Sequence, residues 1–174
     1  MEKETIHFIL TGGTIDSYYD APNDTVKPFK KSVLPDYLKG LKLNTKLVFT
    51  EVCMKDSRQI NSEDRKNIAE IIEKSPEKRF IITHGTYTMP DTARHLEANL
   101  KRKDATVIFT GSMVPIDFPK TDSTFNLGYS LAEIQNLNHG IYICMNGKIF
   151  SPKETIKLVA EGIFVSIFSD KKKN

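Results

Sequence analysis

Two short runs of threonine and glycine carry side chains that could do chemistry. The first spans Thr11–Thr14 (TGGT) and the second spans His84–Thr88 (HGTYT). A threonine hydroxyl becomes a nucleophile when a neighbouring group accepts its proton. Glycines beside it let the backbone approach a substrate and supply N–H groups for a developing oxyanion. Taken alone, TGGT is explained as well by a tight turn that ends at Thr14, but the second hydroxyl cluster, with Thr86 at its centre, favours acyl transfer.

Other kinds of site fit these glycines and hydroxyls less well. The chain has no GxGxxG spacing after its first strand, no P-loop lysine and no GxSxG nucleophile turn. A phosphate-binding turn built on the backbone N–H groups of Thr11–Thr14 stays open as an alternative. The two cysteines form no CxxC pair and no Cys/His cluster, so no metal site and no cofactor are expected.

Composition places the chain among ordinary globular proteins. Its 174 residues predict one domain, which we place at residues 1–170, followed by a solvated basic tail at 171–174. The net charge is +3, with 25 basic and 22 acidic residues, which argues against a nucleic-acid or membrane partner. No run approaches the roughly 18 apolar residues of a membrane span. We therefore expect a cytoplasmic protein.

Apolar periodicity predicts the elements that position the two runs. Five short runs rich in Ile, Val, Phe and Thr are predicted to be buried strands: Ile6–Leu10, Lys46–Val52, Phe80–Thr83, Thr106–Thr110 and Ile141–Met145. Four segments with apolar residues three and four apart are predicted to be helices: Val33–Gly40, Ser62–Lys74, Pro90–Leu100 and Ser123–Leu137. The alternation predicts an α/β fold, a doubly wound, mostly parallel sheet with helices on both faces.

The C-terminal part departs from this alternation. Asn146-Gly147 between two apolar runs predicts a β-hairpin, with an antiparallel strand at Lys148–Phe150. Ser151–Glu161, with Pro152 in its first turn, is predicted to be a final helix. Ligands of doubly wound sheets bind beyond the carboxyl ends of the strands. The loops that follow the strands are therefore where the site is expected.

The motifs resemble those of the bacterial-type L-asparaginase/glutaminase family. The likeness rests on TGGTI at Thr11–Ile15 and on THGTxTMxxTA at Thr83–Ala93, and it extends over most of the chain, from about Ile6 to Lys157. Gly111-Ser112-Met113 adds to it. The part resembled is the N-terminal domain, as in short single-domain members of the family.

The resemblance implies roles for particular residues. Thr14 corresponds to the primary nucleophile, which forms an acyl-enzyme, and Thr86 to the second threonine, which positions the attacking water or the amide. Tyr19, or alternatively Tyr18, corresponds to the tyrosine of a flexible loop, Tyr18–Asp24, that supports the nucleophile. Ser57 corresponds to a residue that binds the substrate's α-carboxylate. Gly13 would bring the backbone close to the substrate.

Two departures from the family pattern concern charge. Tyr87 stands where the family has an aspartate that pairs with the substrate's α-ammonium and belongs to a Thr-Lys-Asp triad; a tyrosine is neutral at pH 7. The triad lysine is expected in the helix Ser123–Leu137, which contains no lysine, although Lys157 matches a lysine of a later motif. Arg58, which replaces a more neutral family residue, pairs with a carboxylate or is simply solvated.

These observations predict an amidohydrolase that resembles L-asparaginase. It would hydrolyse the side-chain amide of L-asparagine, or of a related small amide, to the acid and ammonia through a threonine acyl-enzyme. One related possibility is a substrate without an α-ammonium, contacted by the hydroxyl or ring of Tyr87. The alternative is a catalytically impaired or non-catalytic relative that binds a small ligand. The resemblance also implies a homodimer or homotetramer.

Overall fold

The computed structural model describes residues 5–168, so the predicted tail at 171–174 lies outside the described residues. A six-stranded sheet forms the centre of the molecule, with the strand order β4-β1-β5-β6-β7-β8. Its strands are β1 (Thr5–Gly12), β4 (Lys46–Lys55), β5 (Arg79–Thr83), β6 (Thr106–Thr110), β7 (Gly140–Met145) and β8 (Lys148–Phe150). All neighbouring pairs are parallel except β7 and β8. The five predicted parallel strands are therefore confirmed, each within a few residues of its predicted ends.

Helices cover both faces of this sheet, as the apolar periodicity predicted. They are α1 (Leu34–Gly40), α2 (Ser62–Lys74), α3 (Met89–Asn99) and α4 (Ser123–Glu133). Ile82 of β5 packs in a core that α2 and α3 close, whereas its neighbour Ile81 packs in a second core that α1 and α4 close. Successive residues of a strand point to opposite faces, so an uninterrupted apolar strand needs both cores.

The start of α2 is built by local hydrogen bonds. Asn61 Oδ1 accepts from the backbone N–H groups of Glu63 and Asp64 at 2.9 and 3.0 Å, and Asp64 Oδ2 accepts from Asn61 N at 2.9 Å. This reciprocal cap satisfies donors that the helix leaves unpaired. Lys55 Nζ, at the end of β4, also donates to both carboxylate oxygens of Asp64, at 2.7 and 2.8 Å. The two ends of the loop 56–61 are thereby fixed.

The predicted turn at Asn146-Gly147 is confirmed. Asn146 and Gly147 have φ values of 53° and 72°, the left-handed conformation that a two-residue hairpin with the right-handed strand twist requires. The turn joins β7 to the antiparallel strand β8 at the edge of the sheet.

The prediction of a helix at Ser151–Glu161 is wrong. A turn there leads into β9 (Thr155–Leu158), which pairs antiparallel with β10 (Ile163–Ser166). Gly162, at φ 64°, makes the connecting turn. Phe164 of β10 is buried in the core beside α3, where its pairing with β9 places it. Pro152 begins the turn rather than a helix, so its position in the sequence misled the prediction.

A second hairpin was not predicted either. The predicted flexible loop Tyr18–Asp24 belongs to β2 (Ser17–Asp20) and β3 (Thr25–Pro28), which pair antiparallel. Asp24 takes a left-handed φ of 47° at the turn. Among the described residues, no helix has the length and apolar character needed to cross a bilayer.

Candidate active site

Three loops meet at the carboxyl ends of β1, β4 and β5, and they touch through positions that have no room for a larger side chain. A Cβ atom added to Gly13 would lie 2.5 Å from the Cα of Gly85. A Cβ atom added to Gly85 would lie 2.7 Å from the Cβ of Ser57. The glycines of both threonine motifs are therefore the points at which the loops pack backbone against backbone. This packing brings Thr14, Ser57 and Thr86 to one place.

Gly13→Ala is expected to destabilise the protein by about 3 kcal/mol, the sum of a strained backbone and an overpacked contact. Gly13 has φ 78° and ψ −178°, a region of the backbone map that only glycine occupies readily. Urea unfolding followed by circular dichroism measures the change in the free energy of unfolding. Gly128→Ala is the matched control, because Gly128 lies in α4 with nothing within 4 Å of an added Cβ. That change should stabilise the protein by about 0.5–1 kcal/mol; equal losses at the two positions would contradict the packing argument.

A cavity of about 180 Å³ opens where the loops meet. Its lining combines both threonines with three charged side chains and the unexpected tyrosine: Thr14, Asp56, Ser57, Arg58, Gly85, Thr86, Tyr87 and Lys157. Five of the seven predicted site residues line it, namely Thr14, Ser57, Arg58, Thr86 and Tyr87. A larger cavity, of about 580 Å³, lies between β4 and α2. None of the predicted site residues lines it.

Lys157 contacts the second threonine directly. Its Nζ lies 2.6 Å from Thr86 Oγ1, to which it donates, and Thr86 Oγ1 donates in turn to Met113 Sδ at 3.7 Å. Burial lowers the pKa of Lys157 below its ordinary value, while the nearby Asp56 carboxylate opposes the shift. The helix Ser123–Leu137 contains no lysine, and Lys157, the motif match in the later segment, is the lysine that reaches Thr86. The lysine comes from β9, the segment whose secondary structure was mispredicted.

Asp56, Arg58 and Tyr87 form a connected group on one side of the cavity. Arg58 donates to the Asp56 carboxylate from its backbone N (2.9 Å), from Nε (2.9 Å) and from Nη2 (3.1 Å). These hydrogen bonds, the side-chain ones foremost, lower the pKa of Asp56. The Arg58 guanidinium also lies 5.6 Å from the centroid of the Tyr87 ring, which is 56 % exposed. The sequence left open whether Arg58 pairs with a carboxylate or is solvated. In the structure it does both, because it pairs with Asp56 and keeps its outer face in solvent.

Ser57 is held below this group. It is only 3 % exposed, and its Oγ accepts a hydrogen bond from Thr88 N at 3.3 Å. Thr88 Oγ1 donates to the Ser57 carbonyl at 2.7 Å. The loops after β4 and β5 are thereby tied together beside the cavity.

The other predicted site residues lie behind or outside the cavity. Gly13 donates its N–H to the Lys55 carbonyl at 2.9 Å, so this N–H is not free for an oxyanion. Tyr19 lies on the β2–β3 hairpin, and its hydroxyl donates to Asp24 Oδ1 at 2.5 Å. Tyr18 instead packs against the Phe29 ring, 5.4 Å between centroids. The structure brings neither tyrosine to the cavity lining.

His84 ends β5 beside the site, but its environment is that of a structural residue. Its ring is completely buried, its Nδ1–H donates to the Gly85 carbonyl at 2.8 Å, and burial lowers its pKa to about 4. The imidazole is therefore neutral at physiological pH and holds the backbone at the start of the second threonine motif.

Sequence reasoning did not include two charged residues of the lining, Asp56 and Lys157, among the site residues. Asp56 follows β4 directly and lies beside Ser57, so its position at a strand end could have indicated it. Asp56 also caps the short turn that follows it, because its carboxylate accepts from the Arg58 backbone N–H. For Lys157 the motif match was visible, but its distance from Thr86 depends on the β9–β10 pairing, which no local pattern predicted.

The arrangement brings two threonine hydroxyls and a partly buried amine into one small cavity. Such a set suits acyl transfer, in which a hydroxyl attacks a carbonyl carbon and an amine manages the proton. Within residues 5–168, no group of three or more His, Cys, Asp and Glu side chains is placed to hold a metal ion.

Comparisons with known proteins find similar sequences over almost the whole chain. The family model for the asparaginase N-terminal domain matches residues 5–167. L-asparaginase 1 of Escherichia coli K12 is 26% identical over 177 residues, which cover 93% of this chain and 50% of that protein. L-asparaginase 2 of the same organism is 29% identical over 160 residues, covering 87% of this chain and 46% of that protein.

Solved structures show the same likeness. The thermostable L-asparaginase from Thermococcus kodakarensis matches with a TM-score of 0.78 and 26% identity, covering 94% of this chain and 51% of that one. A probable cytoplasmic L-asparaginase from Campylobacter jejuni matches with a TM-score of 0.76 and 25% identity, covering 94% and 52%. The chain thus spans about half the length of the asparaginases that it resembles.

Proposed function

The chain belongs to the asparaginase family, and from this premise we propose that it is an amidohydrolase. It hydrolyses the side-chain amide of L-asparagine, or of a related small amide, to the acid and ammonia. The observation that carries the proposal is the 2.6 Å contact between Lys157 Nζ and Thr86 Oγ1, in a cavity that Thr14 also lines. A hydroxyl nucleophile and an amine that can transfer protons therefore line the same cavity, as acyl transfer requires.

The proposed reaction has two steps. In the first, Thr14 Oγ attacks the amide carbon and gives up its proton, a tetrahedral intermediate forms, and a proton is delivered to the nitrogen as the C–N bond breaks and ammonia leaves. The Thr14 acyl ester that remains is hydrolysed by water in the second step, which yields the carboxylic acid and regenerates the hydroxyl. Because Gly13 N–H is occupied, the backbone N–H groups of Thr14 and Thr86 are assigned to the oxyanion.

Lys157 and Thr86 move the protons in this scheme. A buried lysine with a lowered pKa has a larger neutral fraction than an exposed one, and only the neutral amine accepts a proton. Thr86, in contact with that amine, positions the water of the second step. Ser57, Arg58 and Tyr87 line the rest of the cavity and bind the non-reacting part of the substrate. Tyr19 would support Thr14 only if the β2–β3 hairpin moved towards it.

An ammonia-release assay tests the proposal. The purified chain is incubated with L-asparagine, L-glutamine, succinamate and simple primary amides, and ammonia is measured with a coupled dehydrogenase. We expect release from at least one short amide that has a carboxylate. If no amide in such a panel releases ammonia above the uncatalysed rate, the amidohydrolase proposal fails.

The pH dependence of kcat/KM should follow the titration of the Lys157 amine. Because the neutral amine is the active form, kcat/KM is expected to rise with pH and to level off above the pKa of Lys157. The Asp56 carboxylate raises that pKa by its charge, so Asp56→Asn should move the midpoint of the rise to lower pH. Initial rates between about pH 5 and 10 measure the shift, because Asp56, whose pKa is lowered, stays charged over this range and the rise reports the lysine. A midpoint that stays in place, or moves to higher pH, would contradict the assignment of the rise to Lys157.

A second candidate function is favoured by Tyr87. A neutral tyrosine contributes no charge to the cavity where the related motifs have a carboxylate, and the chain would then bind a small ligand without turnover. This candidate predicts thermal stabilisation by a small amide or acid together with no ammonia release from any of them. Turnover that depends on Thr14 would exclude it.

The proposal also includes assembly into a homodimer or homotetramer in the cytoplasm. It is supported by apolar side chains exposed around β9 and β10, among them Ile156, Val159 and Phe168. Pairing of two copies would remove this surface from water.

A further inference from the structure

We infer that the cavity selects short amides that carry a carboxylate and have no ammonium group. The inference rests on the proposed amidohydrolase function and names the substrate class of that same site. The inference depends on the charged side chains of the lining: the carboxylate is paired with a cation, whereas the cations are only partly paired.

The lining has one carboxylate, and that carboxylate is engaged. Asp56 accepts three hydrogen bonds from Arg58, two of them to Oδ1 and one to Oδ2. Its negative charge is thus neutralised by a guanidinium 2.9 Å away. A substrate ammonium would have to share this carboxylate with Arg58. A paired carboxylate of this kind recognises an ammonium far less well than an unpaired one.

The positive charges on the lining are less compensated. Lys157 Nζ contacts the neutral hydroxyl of Thr86, and the Asp56 carboxylate acts on it by charge without forming a direct ion pair among the described residues. Arg58 has five N–H donors on its guanidinium, and Asp56 accepts from only two of its side-chain nitrogens. While the Lys157 amine is protonated, the lining carries two cations against one anion, so an anionic ligand group is attracted and a cationic group is repelled.

Tyr87 completes this selectivity. Its ring faces the Arg58 guanidinium, 5.6 Å from centroid to Cζ. A phenol hydroxyl can donate to a carboxylate but adds no negative charge for an ammonium. The volume of about 180 Å³ suits a short chain, since larger ligands occupy sites of roughly 300–1,000 Å³.

Four amides that differ by single charged groups test the inference. Succinamate carries a carboxylate alone, L-asparagine adds an ammonium, β-alaninamide has the ammonium alone, and propionamide has neither. Their dissociation constants are measured by isothermal titration calorimetry on the Thr14→Ala variant, in which turnover is blocked. We expect succinamate to bind at least about tenfold tighter than L-asparagine, and β-alaninamide to bind most weakly.

This design separates the inference from the proposed function. Equal or tighter binding of L-asparagine, or no detectable binding of succinamate, overturns the inference even if the wild-type chain releases ammonia. Conversely, if succinamate binds best but the wild-type chain hydrolyses no amide, the proposed function fails while the selectivity stands.

A pair of variants shows whether charge at position 87 sets the selectivity. Tyr87→Asp should raise the ratio of L-asparagine to succinamate affinity at least about tenfold, because it adds an unpaired carboxylate. Tyr87→Asn has nearly the same shape without the charge and should change that ratio by less than about threefold. Since Tyr87 is mostly exposed, neither change is expected to prevent folding. An equal shift in both variants would assign the selectivity to space rather than charge and would overturn the inference.

Discussion

Thr14→Ala is expected to lower kcat for ammonia release by roughly 10⁴-fold, the loss typical of removing a hydroxyl nucleophile. Thr14 lines the cavity beside Thr86 and the Lys157 amine, and no other group of the first loop could form the acyl ester there. Single-turnover assays with the best amide of the panel measure the loss. Mass spectrometry of quenched wild-type reactions should also detect the acyl adduct on the peptide that contains Thr14.

Two comparisons make this prediction specific. Thr14→Ser keeps a hydroxyl and should retain a measurable fraction of the activity, whereas the alanine variant should not. Thr86→Ala tests the rival assignment, because Thr86 is the hydroxyl that contacts Lys157. If the adduct forms on Thr86, or if Thr14→Ala keeps more than about a tenth of the rate, Thr14 is not the nucleophile.

The central sheet could be predicted because its pattern is local and repeated. In β5, Ile81 and Ile82 are both buried but belong to different cores, so the strand had to be apolar at every position. The helices showed the complementary pattern, with Ile68 and Ile72 of α2 one turn apart and facing the same core. Together these patterns require a sheet covered on both faces, and only the exact ends of the elements differed.

The C-terminal hairpin could not be predicted in the same way. Ser151–Glu161 contains Pro152 near its start and apolar residues at mixed spacings, which a helix accommodates as well as a strand does. What decides between them is non-local, since Phe164 must reach the core beside α3 and β9 pairs with it through Lys157. The β2–β3 hairpin has the same origin, because its residues are mostly exposed and give little apolar periodicity.

The position of the site could be predicted from the glycines and hydroxyls that follow the strands. The charged side chains that complete the site could not. Gly13 and Gly85 were recognised as special, and the structure shows why, since their loops pack backbone to backbone. Asp56 is paired with Arg58 in the same loop, and Thr86 is contacted by Lys157 of β9. Motif spacing contains no information about such pairings, which is why the sequence alone could not locate the lysine.

Lys157→Met tests that lysine most directly and is expected to lower kcat/KM by roughly 10²–10⁴-fold, the range for losing a general base. Methionine has a similar length and no amine, so it removes the contact with Thr86 Oγ1 without leaving a large void. The rise of activity with pH should disappear together with the rate, because the titrating group is gone. Lys157→Arg should not restore it, since arginine stays protonated at every pH of the assay.

Lys153→Met is the matched control, four residues earlier in the same segment. The Lys153 side chain is 79% exposed and pairs only loosely with Glu97, at 3.7 Å. Its replacement should change kcat/KM by less than about twofold, as for most exposed ion pairs. If Lys157→Met kept both the rate and the pH-dependent rise, the contact with Thr86 would be structural, and a different group would have to accept the proton.

If instead both lysine variants lost activity equally, the loss would reflect disruption of the β9–β10 hairpin, and thermal unfolding of each variant would reveal it as a lowered Tm. A loss confined to Lys157→Met, at unchanged Tm, would assign the proton transfer to the amine at position 157.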